Sequence, residues 1–194
     1  MNNTESLLPI FPLPVFILPG GMTRLRIFEP RYLKMVTIAA KEQGFVIWLN
    51  NTEKALPKKQ WGSWVNIINF DQGLDGVLEI DVKCHSLVEL SRFKKDNANL
   101  NFAEARLMSH WSQNSKNNHA LSKVNSLSKS LTDVFNNDST LNEIYDEKLV
   151  DNNNWVVARW LELLPIDLTI KASFVLSHSY EKAENFVQSI VHKS

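Results

Sequence analysis

Residues 8–36 read LPIFPLPVFILPGGMTRLRIFEPRYLKMV, and their punctuation lays out a strand, a turn, a second strand and a helix. The run from Leu7 to Ile17 is apolar but interrupted by Pro9, Pro12 and Pro14. Proline has no ladder donor, so the run predicts an edge strand or an extended segment wrapping the lobe. Pro19-Gly20-Gly21 is a turn, because proline presets φ and glycine tolerates positive φ. Leu25 and Ile27 then alternate with Arg24 and Arg26, the pattern of a half-buried strand. Pro30 suits a first helical position, with Glu29 at the positive end of the helix dipole. Tyr32, Leu33, Val36 and Ala40 follow at helical spacing, and Gly44 ends the helix.

Outward from this stretch the chain divides into two regimes. Through Leu107 it is rich in β-branched and aromatic residues and holds all six glycines. Strands are predicted at Phe45–Leu49 and Trp64–Phe70, from Val77 on through Leu90, and at Phe102–Met108. A polar loop at Asn50–Gln60, a Gly/Asp turn at Asp71–Gly76 and a cluster at Asp96–Asn101 separate them. After the polar segment Gln113–Asn118 the pattern turns helical. Leu121, Val124, Leu127, Leu131 and Val134 form one stripe, broken at Asn136-Asn137-Asp138, with a short helix at Leu141–Tyr145. Asn154 is placed as the N-cap of an almost wholly apolar helix, Trp155–Leu164, closed by Pro165. Asp167 caps the next helix, and Ala183, Phe186, Val187, Ile190 and Val191 line the last. The expectation is an α+β arrangement, a β-rich lobe over residues 1–112 and a helical lobe over 113–194.

Composition narrows the function classes. The 194 residues are 44% hydrophobic and 22% charged, the balance of a soluble globular protein. Lys plus Arg and Asp plus Glu are each 21, so there is no surplus of cations to displace counterions from nucleic acid. The single cysteine, Cys84, forms neither an internal disulfide nor a thiolate cluster, and the five histidines are scattered. The N-terminus lacks a signal-peptide pattern, and its apolar run is too short and too proline-broken to span a bilayer. The expectation is a cytoplasmic protein with no metal, no cofactor and no membrane partner.

A search for catalytic patterns comes back empty. There is no phosphate-binding G-x-x-x-x-G-K-[ST], no G-x-G-x-x-G and no G-x-S-x-G. Ser63 follows Gly62, but Trp61 and Trp64 flank the pair and no histidine lies near, so a strand serine is the better reading. Asp71 with Asp75 flanks a turn, and Glu79 with Asp81 shares a strand face; solvated roles suit both pairs better than acid–base work. Cys84 and His85 are neighbours on a strand and point to opposite faces, which keeps thiol and imidazole apart. No catalytic residue is expected.

The opening stretch resembles the start of the N-terminal domain of Lon proteases. There a proline-punctuated strand leads through a Pro-Gly turn to a strand ending Arg-Ile-Phe-Glu, then a helix with Arg-Tyr. The matching residues are Pro12, Pro14, Pro19, Gly20, Arg26, Ile27, Phe28, Glu29, Arg31 and Tyr32. Gly62-Ser63 before Val65 and Ile67, Asp75-Gly76, and Leu163-Leu164-Pro165 followed by Lys171 extend the likeness over nearly the whole chain. Two features depart from it. Cys84 and Leu87 stand where the family often has a glycine and an arginine, so the bend that the glycine permits is expected to be straightened. The 194 residues also lack the ATPase and Ser-Lys protease modules of full Lon proteases, so a stand-alone form is expected, to which neither activity transfers. The resemblance implies a PUA-like, β-barrel-type lobe packed on a helical bundle, engaging substrate polypeptide.

The expected function is therefore a non-catalytic protein- or peptide-binding module, with an adaptor role for an unfolded polypeptide or partner protein. The alternative, from the PUA-like analogy alone, is RNA binding, against which neutral charge counts. The binding candidates are Arg26, Glu29, Arg31 and Tyr32, the most distinctive polar cluster, with Trp61, Trp64 and Ile68. On the strand from Trp64, the family-matched Val65 and Ile67 are expected to face the core and Trp64, Asn66 and Ile68 to face outward, an apolar docking surface.

Overall fold

Strand β1 (Ser6–Pro12) is not at an edge, for all its prolines. In this computed structural model, which describes residues 6–41, 43–49, 60–113, 121–176 and 180–191 (backbone alone at 121–125 and 176), it has a partner on either side. Ser6–Ile10 pair antiparallel with β6 (Asn101–Met108), and Ile10–Pro12 pair parallel with β3 (Phe45–Trp48). Only Ile10 is shared, so each half of the strand is bonded on one side. Pro9 and Pro12 thus each border a single ladder, which is how an inner strand tolerates residues without an N–H. The loop expected at Asn50–Gln60 and the polar segment from Gln113 fall largely outside the described residues.

The rest of this sheet follows the opening stretch. Strand β2 (Met22–Ile27) leads into helix α1 (Pro30–Lys41), whose first turn closes with Leu33 N–H on the Glu29 carbonyl at 3.0 Å. After β3 come β4 (Trp61–Gln72) and β5 (Leu78–Lys95), a long hairpin. The strand order is β2-β5-β4-β3-β1-β6, with a further β5–β6 pairing, so the sheet curls round on itself. Strand β5 makes this possible. It runs beside β4 along one side; along the other it pairs β2 through Lys83 and β6 from Leu87.

The changeover between those partners falls at Cys84–Ser86. There the β4 register shifts, with Trp64 opposite Ser86 and Val65 opposite Cys84, so His85 is an extra, bulged residue. Backbone bonds from Gly20 N–H to the Cys84 carbonyl (2.7 Å) and from Cys84 N–H to the Gly21 carbonyl (2.8 Å) dock the Pro-Gly turn at this point. The straightening expected from a cysteine here does not occur. A bulge bends a strand without needing a glycine.

Apolar side chains fill both faces. Leu8, Ile10, Val46, Val88, Leu90, Ala103 and Ala105 form one buried cluster. The small alanines leave room inside the curl. On the opposite face Phe11 lies 4.3 Å from the Tyr32 ring and 6.2 Å from Phe45, beneath α1, where Met35, Val36 and Ala39 are also buried. Each large side chain so buried contributes on the order of 2 kcal/mol.

The chain divides into two compact units, Met1–Ser109 and His110–Ser194. The second holds a 3-10 turn (Trp111–Gln113) and helices α2 (Leu121–Asn137), α3 (Ser139–Ile144), α4 (Asn153–Leu163), α5 (Leu168–Leu176) and α6 (Tyr180–Val191). With the sheet of the first unit this is an α+β protein. Helix α4 is buried nearly all round. Its Trp155 meets Phe135 and Tyr145, and Arg159, 0% exposed, is held by Glu162 through two bonds of 2.7 Å. Its N-cap is Asn152, whose side chain accepts from Trp155 N–H, and not the expected Asn154. Asn154 is buried and donates to the Trp111 carbonyl at 3.0 Å. Among the described residues no helix is long and apolar enough to cross a membrane.

Candidate functional site

The sequence-derived candidates fall in three places. Arg26 is exposed on β2, where it pairs with Asp75 and, at 3.5 Å, with Glu79. These bonds anchor the hairpin end to β2, and Arg26 keeps Asp75 below the usual carboxylate range. Glu29, Arg31 and Tyr32 sit together at the start of α1. Arg31 bonds Glu29 at 2.6 Å and lies 4.8 Å over the Tyr32 ring. Tyr32 is buried, and burial pushes its hydroxyl above the ordinary value. The trio sits at the strand–helix corner, where Tyr32 packs on Phe11 of β1.

Trp61, Trp64 and Ile68 all lie on β4, with different fates. Trp61 is 4% exposed, edge-on to Phe16, so as a binding candidate it is corrected to a core residue. Ser63 beside it is buried and donates to the Ile17 carbonyl at 2.5 Å, a structural bond. Trp64 is half-buried. Its ring packs against the inner cluster and lies 4.6 Å from His85, and its Nε1 donates to the Gln43 carbonyl at 2.5 Å. Ile68 is 48% exposed.

Around Trp64 opens a groove of about 560 Å3, which the sequence reading did not foresee. Ala39 and Ala40 from the end of α1, Gln43 and Gly44, and Asn66, Ile67, Phe70 and His85 line it. Gly44 makes it possible: its φ is +81°, and a Cβ there would meet the Val65 carbonyl oxygen at 2.0 Å. Only glycine lets the chain turn from α1 into β3 this close to β4. Val65 faces the core as expected, 0% exposed, but Ile67 lines the groove instead. Beyond Val65 the β4 arm of the hairpin overhangs a core that the β5 arm still joins through Ile80 and Val82, and a second register shift, between Ile67 and Asn69, interrupts the pairing. Phe70, 52% exposed, stands on that overhang. In the structure a four-residue strand lies beside a twelve-residue one, a mismatch that the expected strands Phe45–Leu49 and Trp64–Phe70 did not show.

The groove offers aromatic and aliphatic surface, amide groups of Gln43 and Asn66, and one imidazole. Burial lowers the His85 pKa below its ordinary value, so the ring is neutral near pH 7. His85 Nδ1 is 3.0 Å from Ser86 Oγ, while Cys84 is fully buried with its Sγ 3.5 Å from the Ser86 carbonyl. Among the described residues no three His, Cys, Asp or Glu side chains gather to hold a metal ion.

Comparison with known proteins follows the same line. Residues 7–175 match the model of the ATP-dependent protease La (LON) substrate-binding domain. The chain belongs to the Lon substrate-binding domain family. Among solved structures, a Lon N-terminal domain protein from Xanthomonas campestris is similar, with a TM-score of 0.68 and 24% identity over 95% of this chain and 98% of that one. The N-terminal domain of a Mycobacterium avium complex Lon protease has a TM-score of 0.58 and 9% identity, over 95% of this chain and 99% of that one. At these identities the two structures speak for the Lon N-terminal fold alone. A search of curated proteins found no match.

Proposed function

We propose that this Lon-family domain binds unfolded polypeptide through the Trp64 groove, as a cytoplasmic recognition module that carries out no chemistry of its own. The observation that carries this is a groove of mixed polar and apolar lining beside a strand that leaves large apolar side chains exposed. Trp64 forms the floor, and Ile68 and Phe70, about half exposed, stand along the overhang. Large apolar side chains left in water at one place favour a partner that buries them. Family membership supports the same reading, since the family is described as a substrate-binding domain. An adaptor role, presenting bound chains to a protease, extends it.

The test is fluorescence anisotropy with a permanently unfolded, labelled polypeptide. Ile68→Ser and Phe70→Ser change exposed side chains, so Tm should hold. Binding should weaken by about tenfold for each, the loss of one good apolar contact. Unchanged affinity in both variants would overturn the assignment to this groove.

A further inference from the structure

Strand β4 has two edges, and one of them runs out of partners. Its inner edge pairs with β5 through Gln72, while its outer edge pairs with β3 only over Gly62–Val65. From Asn66 to Gln72 no described strand lies on the outer side. The chain that would have continued β3 turns away at Gly44 into α1. The groove follows this open edge. Asn66 and Ile67 are consecutive and so point to opposite faces of the strand, yet both line it. A hollow bounded by both faces of one strand runs along its edge, not over a face.

An open edge presents a row of backbone N–H and C=O groups, and the group that satisfies such a row is another extended backbone. Natural edges are blunted with lysine, proline or inward charge. Asn66–Gln72 has no lysine or proline and Asp71 is its only charge; the bulge at Ile68 is the blunting device it does carry. The register shift at Ile68 divides the edge, which suits a segment of roughly four to six residues, the length of a short strand. Charge narrows the occupant further. At the hairpin end Asp71 lies opposite Glu79, and with Asp75 they make three carboxylates, of which Arg26 pairs with Asp75 and Glu79.

We propose that the outer edge of β4, Asn66–Gln72, takes up a short extended polypeptide segment by strand addition, one with alternating apolar side chains and a basic residue beside Asp71. This rests on the polypeptide-binding reading above and specifies its mode. The main chain supplies the bonds, so many sequences qualify. The groove selects for apolar side chains at every second position, and the acidic end selects for Lys or Arg.

The probes are a labelled seven-residue peptide of alternating valine and threonine with a terminal lysine pair, and the same peptide N-methylated along its backbone. Hydrogen exchange on the full chain reads where each binds. Strand addition predicts that the parent binds and slows exchange within Asn66–Gln72, that N-methylation weakens binding by at least about tenfold, and that glutamates in place of the lysines weaken it too. Asp71→Asn should then erase most of the difference between lysine and glutamate peptides. Equal binding of parent and N-methyl peptides, or protection elsewhere, would overturn strand addition while leaving polypeptide binding intact. No binding of either peptide, together with no binding of the unfolded polypeptide, would overturn both. Dimerisation in sedimentation runs, with the same seven residues protected and no peptide present, would also overturn it by making a second copy the occupant.

Discussion

Arg24 on β2 holds Asp81 on β5 with both ends of its guanidinium, Nε to Oδ1 at 2.7 Å and Nη2 to Oδ2 at 3.0 Å. Asn69 of β4 adds a third donor to the same carboxylate at 3.2 Å. Three strands are thus tied at one side chain, and Asp81 is only 5% exposed. The tie sits at the root of the overhanging hairpin, so the open edge of β4 depends on it for its position.

This tie makes stability depend on acid. The Arg24 hydrogen bond holds the Asp81 carboxyl below its ordinary value, outweighing the opposing effect of burial. A depressed carboxylate contributes stability above its unfolded pKa, and the contribution is lost as pH falls through the folded one. Asp81→Asn should cost about 2 kcal/mol at neutral pH, as for broken charge-assisted bonds. Urea melts from about pH 7 down to about pH 2 should show the gap between wild type and variant closing on the acid side. A gap that stays constant across that range would show that the bonds do not need the ionised carboxylate.

His85 titrates in the other window. Burial beside Trp64 lowers its pKa, so the neutral ring persists below the ordinary imidazole value. On acidification the unfolded chain takes up this proton first. The resulting stability is present above the unfolded value and drains away as pH falls through the folded one. An NMR titration of the imidazole Hε1 resonance should give a midpoint under about 6.5, the model-peptide value. A midpoint at about 6.5 would mean that the ring is solvated, and one above it that its charged form is favoured.

Gly44 and Gly76 separate backbone strain from crowding. Both have positive φ, +81° and +80°, so alanine is strained at either. At Gly44 the new Cβ also strikes the Val65 carbonyl and the Asn66 side chain, whereas at Gly76 the nearest atom is Gln72 Nε2 at 3.7 Å. Gly76→Ala should cost about 1 kcal/mol. Gly44→Ala should cost clearly more, about 3 kcal/mol or above, and should distort the groove. Chemical denaturation of both variants measures the difference, and equal losses would place the whole effect in φ.

The sequence was most readable where local chemistry and tertiary context agree. Pro30 at a helix start, the Gly20-Gly21 turn and the alternation of β2 each have one local solution. The family resemblance also rested on these residues. What could not be read was set by partners distant in sequence. Pro9 and Pro12 argue for an edge, and only the split pairing with β6 and β3 shows how they sit inside the sheet. The groove was hidden for the same reason. Trp64 and Ile68 could be singled out as apolar residues on a strand. That His85 and Ala39 converge on Trp64 depends on a bulge in β5 and on where α1 ends.

The three asparagines Asn152, Asn153 and Asn154 show how propensity alone fails to choose. Each is a good N-cap, and proximity to the apolar run favoured Asn154. The cap is Asn152, accepting from Trp155 N–H at 3.1 Å, while Asn154 is 2% exposed and donates to the Trp111 carbonyl. The two roles predict different responses. Asn152→Ala should cost about 1 kcal/mol, and Asn152→Ser should restore most of it, because serine caps nearly as well. Asn154→Ala strands a buried carbonyl and should cost about 2 kcal/mol. Asn154→Ser should not rescue it, since the shorter hydroxyl does not reach as far as the amide. Thermal melts of the four variants decide the matter, and rescue by serine at position 154 rather than 152 would return the cap to Asn154.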